Sequence, residues 1–283
     1  MNKKFFSVLT AAVFAFCASA TLCACGGNGG KEDIKDGELH TYRENGVEYE
    51  FRYSGVSISL GSVGDIDDKG MVIKGIMPDA GVTEISIPSE IGGEAVKIIN
   101  DEGAAAKSIE TVTVPDSVTV ILSGFNGWSA LESIQLSSNL KYIDYEVCVD
   151  TKIKDLIIPD SVIYLADSAF GGNSALESVS APAEMFWSFL KFSQVASYRS
   201  YIKTVNVTSG NEIYFDTFKG YSSLESATIA QSVDTIGKRA FGDLHSLIEL
   251  NYLGTAAQWE KVVKDDDWNS NSYFVVNCSD MEA

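Results

Sequence analysis

Ile153-Lys154-Asp155-Leu156-Ile157-Ile158-Pro159-Asp160-Ser161-Val162-Ile163-Tyr164-Leu165-Ala166-Asp167-Ser168-Ala169-Phe170-Gly171 holds the pattern from which the rest of the chain can be read. Its first, fourth and sixth residues (Ile153, Leu156, Ile158) are apolar, with largely polar residues between them. That alternation marks a strand with one buried face. Pro159 closes the strand where its missing N–H removes nothing from a ladder, and Asp160-Ser161 supplies turn chemistry. Val162 and Leu165 follow three residues apart, then Ala169-Phe170 and a glycine.

The same pattern recurs. Segments starting at Val82, Ile109, Leu131, Ile153, Leu176, Ile202, Leu224 and Leu247 are spaced by 27, 22, 22, 23, 26, 22 and 23 residues. Their first, fourth and sixth positions are all apolar, for example Ile109/Val112/Val114, Leu131/Ile134/Leu136 and Ile202/Val205/Val207, in a chain that is 45% apolar. Further apolar columns run Val118/Leu140/Val162/Val233 and Ile121/Ile143/Leu165/Ile236. A third runs Cys148/Phe170/Phe241, and Gly171, Gly220 and Gly242 mark the return loops. One unit of ~22 residues cannot bury its own inner face, but stacked on its neighbours it can. The pattern therefore predicts a single β-rich solenoid, with parallel strands forming a sheet and the Phe column a spine opposite.

Ser86 to Val96, Val114 to Ile121, Ile158 to Phe170 and Val233 to Phe241 together resemble the BspA-like leucine-rich-repeat family, and Leu250 to Trp259 is similar to the closing segment of such arrays. The resemblance covers about 82–263. It implies a leucine-rich-repeat solenoid in a surface-exposed, often adhesive bacterial protein, with no catalytic residues to carry across. Two places depart from the pattern. The row after Leu176 runs into Met185-Phe186-Trp187-Ser188-Phe189-Leu190-Lys191-Phe192, and the first repeat has Glu102-Gly103-Ala104-Ala105-Ala106 where Ala-Phe is usual. Irregular, wider repeats are expected at both.

The N-terminus has the anatomy of an export signal: Lys3 and Lys4, an apolar run from Phe5 to Leu22, then small residues. The competing reading, a spanning helix of about 20 apolar residues, lacks a charged stop-transfer flank. Leu22-Cys23-Ala24-Cys25 resembles a lipobox, with Cys23 an unusual occupant of its slot. The resemblance implies cleavage of a signal peptide (1–24), diacylglycerol on the Cys25 thiol and an anchor in a bacterial membrane. Plain secretion after Ala20 or Ala24 is the alternative. A glycine-rich, then charged tether (25–40) would span roughly 20 Å by chain statistics. An N-terminal β cap (41–81), the repeats (82–254) and a C-terminal cap (255–283) complete the expected organisation. Within the caps, Tyr49–Tyr53 and Val56–Leu60 alternate as two strands, Thr255 to Lys264 reads as a helix with Thr255 as N-cap, and Tyr273 to Val276 reads as a last strand.

The formal charge is −18, and loss of Lys3 and Lys4 with the signal makes it −20. Such acidity argues against nucleic acid, which rewards basic patches, and against docking on anionic lipid. After cleavage and lipidation only Cys148 and Cys278 remain, too few for a disulfide framework; a single bridge between them is the alternative to two free thiols.

No motif points to catalysis or to a cofactor. His40 and His245 lack an accompanying nucleophile motif, and Cys148 sits in the Phe column as a buried hydrophobe. Asp65-Ile66-Asp67-Asp68-Lys69-Gly70 opens like an EF-hand loop but has Lys69 at position five and Ile76 at position twelve. Asp265-Asp266-Asp267 reads better as a solvated loop than as a calcium site. The candidate ligand-binding residues are Phe186, Trp187, Tyr198 and Tyr201, in the aromatic run that interrupts the repeats. The spacing 185/189/192/196 fits a helix face, so packing of this run on the solenoid's side is the rival reading. Polar strand positions facing outward (Thr113, Gln135, Thr228, with Ile157 among them) are the second candidate surface. The expected function is binding or adhesion toward a protein or glycan; the alternative is a structural spacer or assembly component of the envelope.

Overall fold

The computed structural model describes residues 37–61, 64–103, 106–166, 168–186 and 199–281. Cys25, Trp187 and Tyr198 therefore lie outside the described residues. The chain forms a β-solenoid of about eight turns, built from parallel strands with little helix. Each aligned row contributes a short strand centred on its fourth position. These row strands are Glu84–Ser86, Thr111–Thr113, Ser133–Gln135, Asp155–Ile157, Ser178–Ala181, Thr204–Val207, Ser226–Ile229 and Glu249–Tyr252, followed by a terminal strand, Val275–Cys278. They pair in parallel and in register, as in Leu156↔Val179 and Val205↔Ala227. The ladder is interrupted once, between the third and fourth strands, leaving sheets of three and six strands. Row positions one, four and six point inward together, so Ile153, Leu156 and Ile158 are all buried.

The second apolar column also forms strands. Glu94–Asn100, Val120–Ser123, Tyr142–Ile143 and Tyr164–Leu165 pair in parallel along the flank. After the irregular repeat the flank resumes as Glu212–Ile213, Thr235–Ile236 and Val263–Lys264. The flank is thus a second sheet, where the sequence indicated only a column of core residues. Five of its seven strands have only two residues, too few to show an alternation.

The spine is longer than the sequence suggests. Phe125 and Phe218 join Cys148, Phe170 and Phe241, all buried. Backbone bonds link successive coils there: the Phe125 N–H donates to the Val147 carbonyl at 2.7 Å, and the Cys148 N–H to that of Ala169 at 2.7 Å. Toward the C-terminus the spine becomes an aromatic stack, with ring centroids 5.4 Å apart for Phe186–Phe218, 4.8 Å for Phe218–Phe241 and 5.9 Å for Phe241–Trp268. Beside it Asn173 is fully enclosed and uses its whole amide. Its oxygen accepts from the Thr151 N–H and hydroxyl, both at 2.8 Å, and its nitrogen donates to the carbonyls of Cys148 and Phe170. A buried amide is tolerated only when satisfied in this way.

At the N-terminal end three antiparallel strands, His40–Glu44, Val47–Ser59 and Asp65–Pro78, attach to the flank sheet through the pairs Met71↔Val96 and Ile73↔Ile99. The two strands read at 49–53 and 56–60 are one strand. Gly55 does not break it. Its bare Cα lets the backbone lie against the facing strand, where a Cβ would come within 2.9 Å of the Asp68 carbonyl. The Asp65–Gly70 stretch is likewise strand and not a loop. At the other end the helix is a single turn, Ala256–Trp259, with Thr255 as N-cap and Gln258 completing a capping box. It stops there because Val263–Lys264 is drawn into the flank sheet.

Candidate ligand-binding surface

The row strands place two residues of each repeat on the solvent face. The nearer column reads Glu84, Thr111, Ser133, Asp155, Ser178, Thr204, Ser226, Glu249 and Val275; the farther reads Ser86, Thr113, Gln135, Ile157, Ser180, Asn206, Thr228, Asn251 and Asn277. The farther column carries no charge at all, in a chain of net charge −18. Its members pair across coils: the Asn206 amide donates to Ser180 Oγ at 3.0 Å, and the Asn277 amide to Asn251 Oδ1 at 2.9 Å. Asn251 and Ser226 both donate to Glu249 at 3.1 Å. The result is a flat strip of short hydroxyl and amide groups, each with donor or acceptor capacity left over.

A charged border runs along one side. Glu132, Lys154, Glu177 and Lys203 stand in successive coils, with ion pairs of 3.2 Å for both Lys154–Glu132 and Lys203–Glu177. These pairs are solvent-exposed and contribute little to stability; their effect is to fix a polar edge. Ile157 interrupts the strip as a 62% exposed apolar side chain, next to the break in the ladder.

Of the aromatic candidates, Phe186 is a core residue. It is wholly buried against Phe218, because the spine has to be filled where the irregular repeat departs from the pattern. It is therefore removed from the ligand-binding set. Tyr201 is half exposed. The exposed aromatics also include Tyr145 and Phe215, which sit in turns where no periodicity marks them, and Tyr273, just before the terminal strand.

Cys148 and Cys278 are both free thiols, so no bridge joins them. Cys148 is wholly buried, and that burial pushes its thiol above its ordinary range. His245 lines an open groove of about 650 Å³ at the C-terminal end, with Ile248, Asn269, Tyr273 and Val275. His40 stacks on Phe51 at 5.7 Å. Among the described residues no group of three or more His, Cys, Asp or Glu side chains is arranged to hold a metal; within the acidic run at 265–267, Asp267 pairs with Lys238 at 3.5 Å.

These features can be set beside known proteins. The model of the BspA type leucine rich repeat region matches six copies over residues 97–214 and 187–261, more than half of the chain. The chain belongs to this family of leucine-rich-repeat proteins. Among solved structures it is similar to a leucine-rich repeat protein from Bacteroides capillosus (24% identity, 49% of this chain and 96% of that one, TM-score 0.34). It is also similar to one from Bacteroides ovatus (15%, 79% and 70%, 0.35) and to the pneumococcal vaccine antigen PcpA (14%, 86% and 88%, 0.34). Comparison with curated proteins returns no match.

Proposed function

We propose that this protein is a bacterial surface binding module that takes a protein or glycan ligand on the solvent face of its row strands. One observation carries the reading: the uncharged outward column from Ser86 to Asn277, hydroxyl or amide at eight of its nine positions in an otherwise acidic molecule. Short groups on a rigid sheet lose little side-chain entropy on binding. Their repetition lets weak contacts add along an extended ligand. Ile157 supplies an apolar point at the middle of the strip.

The family supports display at the surface. In this reading the anchor is the Cys25 thiol, acylated after removal of residues 1–24, since two acyl chains hold stably where one does not. Metabolic labelling with an alkynyl fatty acid tests the anchor: label on the native chain and none on Cys25→Ala supports it, and an unlabelled native chain refutes it. Binding is tested separately by exposing the chain to an array of neutral glycans and matrix proteins. The reading expects saturable capture that Ile157→Lys weakens at least tenfold. Capture of none of these probes, with co-purification of envelope components only, would favour an assembly role instead.

A further inference from the structure

We infer that the gap between the third and fourth row strands is a subsite for the acetamido group of an N-acetylated sugar, a reading that rests on the row face being the binding surface. On either side of the gap, main-chain bonds join the coils at both ends of the row strand. Before the strand, the Glu110 carbonyl accepts from the N–H groups of Glu132 at 2.9 Å and Ser133 at 3.1 Å, and the Lys154 carbonyl from those of Glu177 at 2.9 Å and Ser178 at 3.1 Å. After it, the Val114 N–H donates to the Gln135 carbonyl at 2.9 Å, and the Ile158 N–H to that of Ser180 at 2.8 Å. Between the third and fourth coils the same bonds are missing among the described residues. The Glu132 carbonyl receives neither the Lys154 nor the Asp155 N–H, and the Leu136 N–H does not reach the Ile157 carbonyl. Lys152 donates instead to the Leu131 carbonyl at 2.8 Å, closing one end of the gap, and Ile163 to that of Lys141 at 2.9 Å, closing the other.

Solvent reaches the inner wall here. Ile134 and Leu136 are each 8% exposed, whereas the fourth and sixth residues of the other rows stay at 4% or below. The gap presents the Asp155 and Leu136 N–H groups as donors and the Glu132 and Ile157 carbonyls as acceptors to whatever enters from the solvent face. Beside them stands the exposed side chain of Ile157. An acetamido group matches this set, with one N–H, one carbonyl and one methyl. It is also uncharged, as a ligand group must be beside a neutral column on a chain of charge −18, which repels anions. With the methyl against Ile157, the ring hydroxyls fall toward Gln135 and Ser180, the neighbours in the same outward column.

A peptide amide carries the same polar groups but in the wrong shape. Seating a peptide strand in the gap would part the two coils to roughly double the usual strand spacing of about 4.8 Å. Flank and spine hold these coils together. Tyr142 and Ile143 pair in register with Tyr164 and Leu165, the Cys148 N–H donates to the Ala169 carbonyl at 2.7 Å, and the Thr151 N–H donates to Asn173 at 2.8 Å. Only a short group entering end-on from the solvent face fits, as a substituent hanging from a sugar ring does.

Amide NMR spectra of the isotope-labelled protein, titrated with chitotetraose and with cellotetraose, test this. The two tetramers differ only in carrying an acetamido group or a hydroxyl on each ring. Chitotetraose should shift the amides of Leu136 and Asp155 saturably and bind about tenfold tighter than cellotetraose or better. Ile157→Ser should abolish that preference, and its exposed position leaves the fold intact. Thr113→Lys, two coils away in the same column, should weaken both tetramers alike and leave the preference in place. Equal affinity for the two tetramers, or a preference that Ile157→Ser does not change, overturns the inference. So does an extended peptide that shifts these amides where chitotetraose does not. Failure of both tetramers to bind overturns the subsite alone. The surface reading is then decided separately, by whether Asn206→Lys with Thr228→Lys abolishes capture of another ligand.

Discussion

Phe186 and Phe218 lie with their ring centroids 5.4 Å apart and both are fully buried, which makes them the point where the irregular repeat is tied into the spine. Phe218 in turn packs on Phe241, so removing Phe186 leaves a cavity at the head of an aromatic stack. Phe186→Ala should lower unfolding free energy by about 3–5 kcal/mol, read from urea denaturation. Phe186→Leu should recover most of that. A loss below about 1 kcal/mol would show that the ring is not part of the core.

Asp101 is a buried carboxylate in the first repeat, and desolvation raises its pKa to about 6 although the Gly103 N–H bonds it at 2.9 Å. A folded-state pKa above the ordinary carboxylate value of 3.8 means that the native state binds this proton more tightly than the unfolded chain does. The stabilisation is full below about pH 4 and is lost as pH rises through about 6. A shift of this size corresponds to about 3 kcal/mol. Asp101→Asn keeps the acceptor for Gly103 and removes the charge. It should raise stability above pH 6.5 by up to that amount and make no difference near pH 4. Thermal unfolding of both proteins across that range measures it, and parallel curves would refute the assignment.

Asn173 tests whether the interior amide is structural. Asn173→Ala removes a partner from the carbonyls of Cys148 and Phe170 and from the Thr151 N–H and hydroxyl. Each buried group left without a partner costs about 1–3 kcal/mol, so a loss of about 3 kcal/mol or more is expected. Asn173→Asp should be similarly damaging, since it replaces two donors with a buried charge. Hydrogen exchange should show the loosening centred on residues 148–173. Protection unchanged there would contradict the role.

Gly172 sits at φ +71° in a return loop, and an added Cβ would meet Asp150 Oδ1 at 2.1 Å. Gly172→Ala should therefore cost about 1–2 kcal/mol, since both the left-handed backbone and the contact penalise it. Gly171→Ala, one residue away, lacks the positive φ and should cost less. Equal losses would place the turn elsewhere.

The return loops show how far the sequence could be read. Of the three glycines that mark the return loops, Gly220 is itself left-handed, whereas beside Gly171 and Gly242 the left-handed residues are Gly172 and Asp243, one position later. Asp150 and Asn271 fill the same role in other coils without being glycine, so composition hides the column. Row strands were legible because three apolar positions at fixed spacing survive in every repeat. Phe125 escaped because it follows Ile121 by four residues, where Phe170 follows Leu165 by five. Phe218 escaped because it follows the irregular repeat. For the binding surface, alternation told which side chains face outward, including Ile157. It could not show that the outward column would be uncharged from end to end, since that property emerges only when nine strands are laid side by side. Nor could it separate Phe186 from exposed aromatics, because an irregular segment has no period from which to infer burial.

The central claim is that the hydroxyl–amide face of the row strands is the binding surface, and it is tested most directly there. Asn206→Lys and Thr228→Lys, made together, replace two neighbouring outward groups in register without touching the core. Their affinity for whichever glycan or matrix protein the native chain captures should fall at least a hundredfold, with an unchanged thermal unfolding midpoint. Undiminished affinity in the double variant would contradict the claim and move the ligand to another face.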